Sequence, residues 1–267
     1  MSAELLFSLP WADYCTGGYL GSSALHSWGS MSLEGWSAEH LEKAYSSTGS
    51  KYTAGGSALD ALLTGDPSGK RIVVKPEGMS FATKEGKAWK AENADAEIID
   101  ADQHAEIHAA LPRAREAIEV FRRLHGAEPI YQATLRGEVE GIKIQTRPDI
   151  MVGPAVPDLK YVNGQSFANF DRQFVDSRYF LQAGLFYGLG REAGVSDPQV
   201  SFLLVESGTK HPRVRVAEVQ RNVLEAGWER VRRICGEISE QKAKGFLDVV
   251  EFRPLELPAW AEARITA

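Results

Sequence analysis

Three stretches in the middle of the chain alternate apolar and polar residues: PIYQATLR (129–136), IKIQTRPDIM (142–151) and VPDLKYV (156–162). Successive side chains of an extended chain point to opposite faces, so this alternation predicts strands. The Gly- and Pro-containing segments between them, GEVEG and GPAVP, predict a hairpin followed by a third strand. VSFLLVE (200–206) and RVRVAEV (213–219) read as two further strands, and RIVVK (71–75) as a short one.

Helical spacing takes over elsewhere. Residues 101–125 carry apolar positions at that spacing but include Pro112, which predicts two helices, since proline lacks the N–H and crowds the preceding turn. Residues 166–194, aromatic on one face and ended by glycines, predict a helix or helix pair, and 223–245 an amphipathic helix. Gly56–Leu63 reads as a short apolar helix stopped by Gly65, Asp66 and Pro67. SAEHLEKAY (37–45) also looks helical, and FATKEGKAWKAENADAE (81–97) reads as a charged, exposed stretch. The order β-β-β-α-β-β-α predicts an α/β fold, a mixed central sheet flanked by helices, with an N-terminal helical elaboration. No long linker or repeat divides the chain. It is expected to be one domain over 1–267, with the elaboration at 1–66, the core at 67–245 and a tail at 246–267.

Composition narrows this little. With 267 residues, 43% hydrophobic and 25% charged, the chain matches an ordinary globular protein and can bury a core without staples. The two cysteines, Cys15 and Cys235, have no ligand-like spacing, which argues against a zinc site or a secreted disulfide framework. No signal-like N-terminus or membrane-length apolar run is present, so the expected location is cytoplasmic, without a membrane partner. Thirty Lys and Arg against 36 Asp and Glu give a net charge of −6, which on its own opposes non-specific nucleic-acid binding.

The informative chemistry lies at Asp149, in TRPD, and at Asp158 and Lys160, in PDLK. Residues two apart on a strand share a face, so Asp158 and Lys160 project together, and an adjacent strand can bring Asp149 beside them. Converging carboxylates, with the Leu159 carbonyl, make an oxygen site suited to Mg²⁺ or Mn²⁺. Phosphodiester cleavage needs an activated water, a Lewis acid and a positive group near the phosphoryl oxygens, and this set contains the means for all three. Read without context, Asp-x-Lys on a strand is a solvated face and Asp149 a turn residue.

The surrounding motifs resemble the PD-(D/E)XK nuclease superfamily, and within it the RecE-like exodeoxyribonuclease VIII group, related to RecB-type and lambda-exonuclease-type nucleases. The resemblance spans roughly residues 14 to 220. It comprises GYLGSSALHS, G-S-A-L-x-A-L (56–62), K-E-G-K (84–87), A-E (127–128), R-P-D (147–149), D-L-K (158–160) and Y-x-x-Q-A (179–183), in that order. It implies a restriction-endonuclease-like core in which Asp149 and Asp158 hold the metal and Lys160 is catalytic. Glu128 is implied as the acidic residue before the first core strand, and Gln182 as the glutamine that orients DNA or the lysine. Tyr179 lies one helical turn before Gln182. Lys84, Lys87 and Arg147 are the expected nucleic-acid contacts.

Two positions depart from the family pattern. Asp60 stands where many relatives carry a histidine ligand, and an aspartate oxygen still suits a hard cation. Phe186 occupies a slot that tends to be tyrosine, with Tyr187 next to it.

Other constellations are weaker. His104 and His108 are spaced i, i+4 without a third ligand; Gly17, Gly18 and Gly21 lack a phosphate-loop lysine; Ser22 and Ser23 have no base near in sequence. Arg113, Arg115, Arg122 and Arg123, with Lys84, Lys87 and Lys90, form two basic clusters that could confine positive charge to a DNA channel. The resemblance therefore implies a Mg²⁺- or Mn²⁺-dependent exodeoxyribonuclease acting on double-stranded DNA ends in phage or prophage recombination. A single-strand-annealing recombinase is an expected partner, and a homo-oligomer an expected state. The alternatives are a catalytically silent DNA-binding or recombinase-docking module, or another Mg²⁺-dependent phosphoesterase.

Overall fold

A computed structural model describes residues 3–28, 54–65 and 71–245. The expected helix at 37–45 and the tail at 246–267 lie outside the described residues. The principal sheet is mixed and has five strands: β4 (Pro129–Tyr131), β7 (Ile150–Val152), β8 (Ala155–Asn163), β9 (Gln199–Ser207) and β10 (Val214–Glu218), in spatial order β10-β9-β8-β7-β4. Strands β8 and β9 run parallel from Ala155↔Gln199 to Asn163↔Ser207, and the remaining neighbours are antiparallel. A second, antiparallel sheet contains β1 (Ala3–Leu6), β5 (Thr134–Val139) and β6 (Ile142–Thr146), and a short parallel pair joins β2 (Ile72–Val74) to β3 (Glu97–Ile99).

The predicted hairpin exists, with a correction that matters for function. Its turn is only Glu140–Gly141, both at positive φ (52° and 75°), the conformation that two-residue hairpin turns require. Each arm, predicted as one strand, breaks in two. The outer segments, β4 and β7, join the five-stranded sheet, and the inner ones, β5 and β6, the three-stranded sheet. The breaks fall at Gln132–Ala133 and at Arg147–Pro148–Asp149, where proline cannot donate to a ladder.

The predicted break at Pro112 does not occur. One helix, α5 (Ala101–His125), runs through it. A capping box of Asp100 with Gln103 starts this helix, and Gly126, in the left-handed conformation at φ 60°, ends it. Ile107, Ala110, Leu111, Ala114 and Ile118 form one buried stripe on both sides of the proline. Burying that stripe offsets the roughly 3 kcal/mol of an interior proline. Helix α3 (Ala54–Thr64) packs beside α5, and both share a core with Ile150, Leu159, Leu203 and Val205 on one face of the main sheet. The charged stretch before β3 forms helix α4 (Lys84–Glu92), capped by Thr83.

The segment predicted as a helix or pair holds three helices: α6 (Gly164–Ala168), α7 (Phe170–Asp176) and α8 (Tyr179–Glu192). Helix α8 is buried nearly all round. Leu181, Leu185 and Leu189 face the three-stranded sheet, whereas Ala183, Phe186 and Tyr187 join the core on the main sheet. Short helices α1 (Trp11–Thr16) and α2 (Ser22–Trp28) complete the N-terminal part, and α9 (Arg221–Ala243) covers α8.

Helices α8 and α9 approach closely because Gly184 meets Gly227: a β-carbon at Gly184 would collide with the backbone of Gly227 and Trp228. Gly184→Ala is expected to destabilise the protein by about 1–3 kcal/mol through overpacking. Gly236→Ala, where a β-carbon meets nothing within 4 Å inside α9, should stabilise by about 0.5–1 kcal/mol. Denaturant unfolding of both variants checks the pair of signs.

Candidate active site

The two breaks in the hairpin sit side by side and make a corner between the sheets. The Gln132 N–H donates to the Asp149 carbonyl at 3.0 Å, which ties one break to the other. From this corner Asp149 turns toward β8 and accepts the Leu159 N–H at 2.8 Å on Oδ2. Asp158 and Lys160 flank Leu159 and share a face, as their spacing predicts: the Lys160 ammonium donates to Asp158 Oδ2 and, at 3.3 Å, to the Leu159 carbonyl. Asp149, Asp158 and Lys160 are 7%, 1% and 9% exposed, so these charges are nearly out of water.

Helix α3 brings Asp60 to the same place. Its carboxylate accepts the Gln132 amide on both oxygens, at 3.0 Å each, and the Thr64 hydroxyl at 3.1 Å. The same Gln132 Nε2 reaches Asp149 Oδ1 at 3.4 Å. Helix α8 contributes Gln182, whose Nε2 donates to Asp158 Oδ1 at 3.4 Å, and Tyr179, whose ring centroid lies 5.1 Å from the Lys160 Nζ. Phe202 faces that ammonium at 5.3 Å, so two aromatic faces bound it.

Other predicted residues fall elsewhere. Glu128 is exposed and paired with Arg122 at 3.1 Å, outside the acidic network. Arg147 is buried, donating to Thr134 Oγ1 at 3.0 Å and to the Leu9 carbonyl at 2.6 Å, with its guanidinium over Tyr14 and Trp11. It thus braces the N-terminal segment against the corner instead of facing outward. Lys84 and Lys87 are exposed on α4. Three arginines of the proposed basic cluster are engaged within the protein: Arg113 with the Pro212 carbonyl, Arg115 with the Leu62 carbonyl, and Arg122 with Glu119 and Glu128. Phe186 is buried, and the neighbouring Tyr187 hydroxyl meets Arg191 and Glu225. Gln132 carried no motif. Its alternating run, PIYQATLR, does not set it apart from the other polar positions Thr134 and Arg136.

Electrostatics in the corner are unbalanced. Burial pushes the Asp149 carboxyl well above the usual carboxylate range; Asp158 and Asp60 add to the rise, and Lys160 and the Leu159 N–H oppose it. For Lys160, burial works against the charge, but Asp158 and Asp149 outweigh it and hold the ammonium above its ordinary value. Three carboxylates against one ammonium leave two negative charges when all are ionised.

That deficit and the all-oxygen donor set fit a divalent hard cation such as Mg²⁺ or Mn²⁺. The acidic groups are not gathered around one point. Gln132 bridges Asp60 and Asp149, Asp158 turns onto Lys160, and among the described residues no group of three His, Cys, Asp or Glu is set to hold a metal. His104 and His108 pack against each other at 4.3 Å between ring centroids, their planes tilted by 52°. Among the described residues no helix is long and apolar enough to cross a membrane.

The chain shares its fold with the crystal structure, at 2.19 Å resolution, of a putative exonuclease from Eubacterium rectale. The TM-score is 0.55 at 16% identity, with 92% of this chain and 93% of that chain covered. The expected mixed α/β fold is therefore the one found. No family model and no curated protein matches the chain.

Because Asp149 binds its proton more tightly folded than unfolded, its charge destabilises the folded, metal-free protein as pH rises through the raised value. Asp149→Asn, which keeps an oxygen for the Leu159 N–H, is expected to raise the metal-free melting temperature at pH 8 by about 2–4 °C. The gain should shrink as pH falls toward the ordinary aspartate value of about 4, and vanish below it, where the carboxyl is protonated in both states. Thermal melts with chelator at pH 5 and pH 8 measure the difference.

Proposed function

We propose that the protein is a metal-dependent exodeoxyribonuclease that hydrolyses phosphodiester bonds at double-stranded DNA ends. The observation that carries this reading is the corner itself: Asp149, Asp158, Lys160 and the Leu159 carbonyl from the hairpin and β8, joined by Asp60 from α3. The shared fold with a structure named as a putative exonuclease supports it, as does the motif resemblance to RecE-like nucleases. That resemblance also underlies the proposed role in phage or prophage recombination and the proposed single-strand-annealing partner.

Asp60, Asp149, Asp158 and the Leu159 carbonyl are the groups that would hold one or two Mg²⁺ or Mn²⁺. When bound, the cation supplies a more acidic water and a Lewis acid for the phosphoryl oxygens. The remaining work belongs to the chain. Lys160, kept protonated by Asp158 and Asp149, presents an ammonium that orients a water and offsets charge developing on the phosphate. Gln182 fixes Asp158 from the side opposite Lys160, and the Tyr179 and Phe202 rings limit where the ammonium can go. Preset positions of this kind avoid reorganisation during the reaction.

The test is degradation of linear duplex DNA with Mg²⁺ or Mn²⁺, with covalently closed circles as the end-dependence control. Lys160→Ala and Asp158→Asn are each expected to lower the rate by about 10²–10³ or more while the protein stays folded. Lys160→Ala at wild-type rate would remove the role given to Lys160. Absence of both cleavage and Mn²⁺ uptake in calorimetry would favour the silent DNA-binding reading, and preference for small phosphate esters another phosphoesterase.

A further inference from the structure

Gln132 has a role in the acidic corner that no motif assigns. The geometry points to Gln132 as a positioning residue: we propose that its carboxamide holds Asp60 and Asp149 together without a cation, and turns to offer Oε1 when a divalent cation enters. The inference rests on the reading of the corner as a cation site.

The backbone shows how firmly the residue is placed. Gln132 has φ 54°, a left-handed conformation that is unfavourable for an L-residue with a side chain. Such a conformation persists where neighbouring contacts over-determine it. Here the Gln132 N–H donates to the Asp149 carbonyl, and the side chain reaches the Asp149 and Asp60 carboxylates. Main chain and side chain therefore both hold Asp149, and the side chain adds Asp60.

The chemistry of the carboxamide explains why glutamine suits the position. Two carboxylates brought together in a buried site each oppose the other's ionisation. One N–H₂ group shared between them, with 3.0 Å contacts to both Asp60 oxygens and 3.4 Å to Asp149, relieves that opposition without adding charge. A lysine would relieve it too, but it would cancel part of the two-charge deficit that attracts a divalent cation. A glutamate would deepen the repulsion in the metal-free protein.

The carboxamide carries its oxygen on the same carbon as its nitrogen, so one residue can serve as donor to the acids or as neutral ligand to a cation. The acids are not yet gathered for three-way ligation, and Gln132 is the group that spans Asp60 and Asp149. Release of these contacts is thus part of cation entry.

The experiment uses the full chain, Mn²⁺ as probe, and two near-isosteric variants. Calorimetry measures Mn²⁺ affinity, and melts with chelator or with saturating Mn²⁺ measure the cation-dependent gain. Gln132→Met, which can neither donate nor ligate through oxygen, is expected to weaken Mn²⁺ binding about tenfold or more. Gln132→Glu, which loses the donor and gains a charged ligand, is expected to melt lower than wild type without metal and to show a larger Mn²⁺-induced rise. A merely structural role would not produce that opposite pair.

Wild-type Mn²⁺ affinity in folded Gln132→Met, or a wild-type-sized rise in Gln132→Glu, overturns the proposal; if Gln132→Met fails to fold, Gln132→Glu decides it alone. If the wild-type protein takes up no Mn²⁺, the cation-site reading fails and this inference falls with it. Uptake by wild type that neither variant alters sinks the role of Gln132 and leaves the cation site standing.

Discussion

The hydrogen bond from the Leu159 N–H to the buried Asp149 carboxylate is the constraint on which the rest of the corner depends. Strand β8 is paired with β9 along its whole length, whereas its pairing with β7 is the single register Val152↔Ala155 and the chain leaves the sheet at Asp149. The Leu159 N–H needs an acceptor in a dry environment, and a carboxylate supplies one stronger than a carbonyl. The same bond fixes where Asp149 points. With Leu159 held, Asp158 and Lys160 are forced together on the other face of the strand, next to α8.

What the sequence showed of this corner follows from what periodicity can carry. Alternation identified the strands, and i, i+2 spacing put Asp158 and Lys160 on one face, which is where they are. Alternation contains no information about which sheet a strand joins, so the breaks at Gln132 and Asp149 were not visible in it. The candidate site occupies those breaks. Pro112 misled for a related reason. Local propensity was decided by long-range burial, since Ile107 to Ile118 anchor α5 on both sides of the proline.

Motif resemblance carried some residues further than pattern did and misplaced others. It pointed to Asp60, which periodicity alone would have left on an ordinary helix, and the fold brings Asp60 to Asp149 through Gln132. It also pointed to Glu128, an acid close to the right place in sequence. The chain crosses from α5 into β4 there, and Glu128 ends on the surface with Arg122, four residues before the side chain that enters the corner. A polar residue beside a strand start is easy to recognise. Which one turns inward is decided by the positive φ at Gln132, and no composition rule foretells that.

The net charge of −6 takes a different meaning once its distribution is known. Arg113, Arg115 and Arg122 are engaged in contacts within the protein, so part of the positive charge on α5 is already used in holding the fold. Meanwhile the corner holds three carboxylates and one ammonium, with Asp158 on Lys160 and Asp60 linked to Asp149 through Gln132, a locally unfavourable arrangement that the surrounding structure must hold. Helix α8 is suited to that task because it is packed on both sheets and on α9, so Gln182 and Tyr179 cannot rotate away without opening two cores. Electrostatic imbalance in a rigid frame is a common signature of a site that acquires its missing charge from a ligand. Here the imbalance is two negative charges, the frame is the junction of two sheets, and the proposed source of the missing charge is a divalent cation.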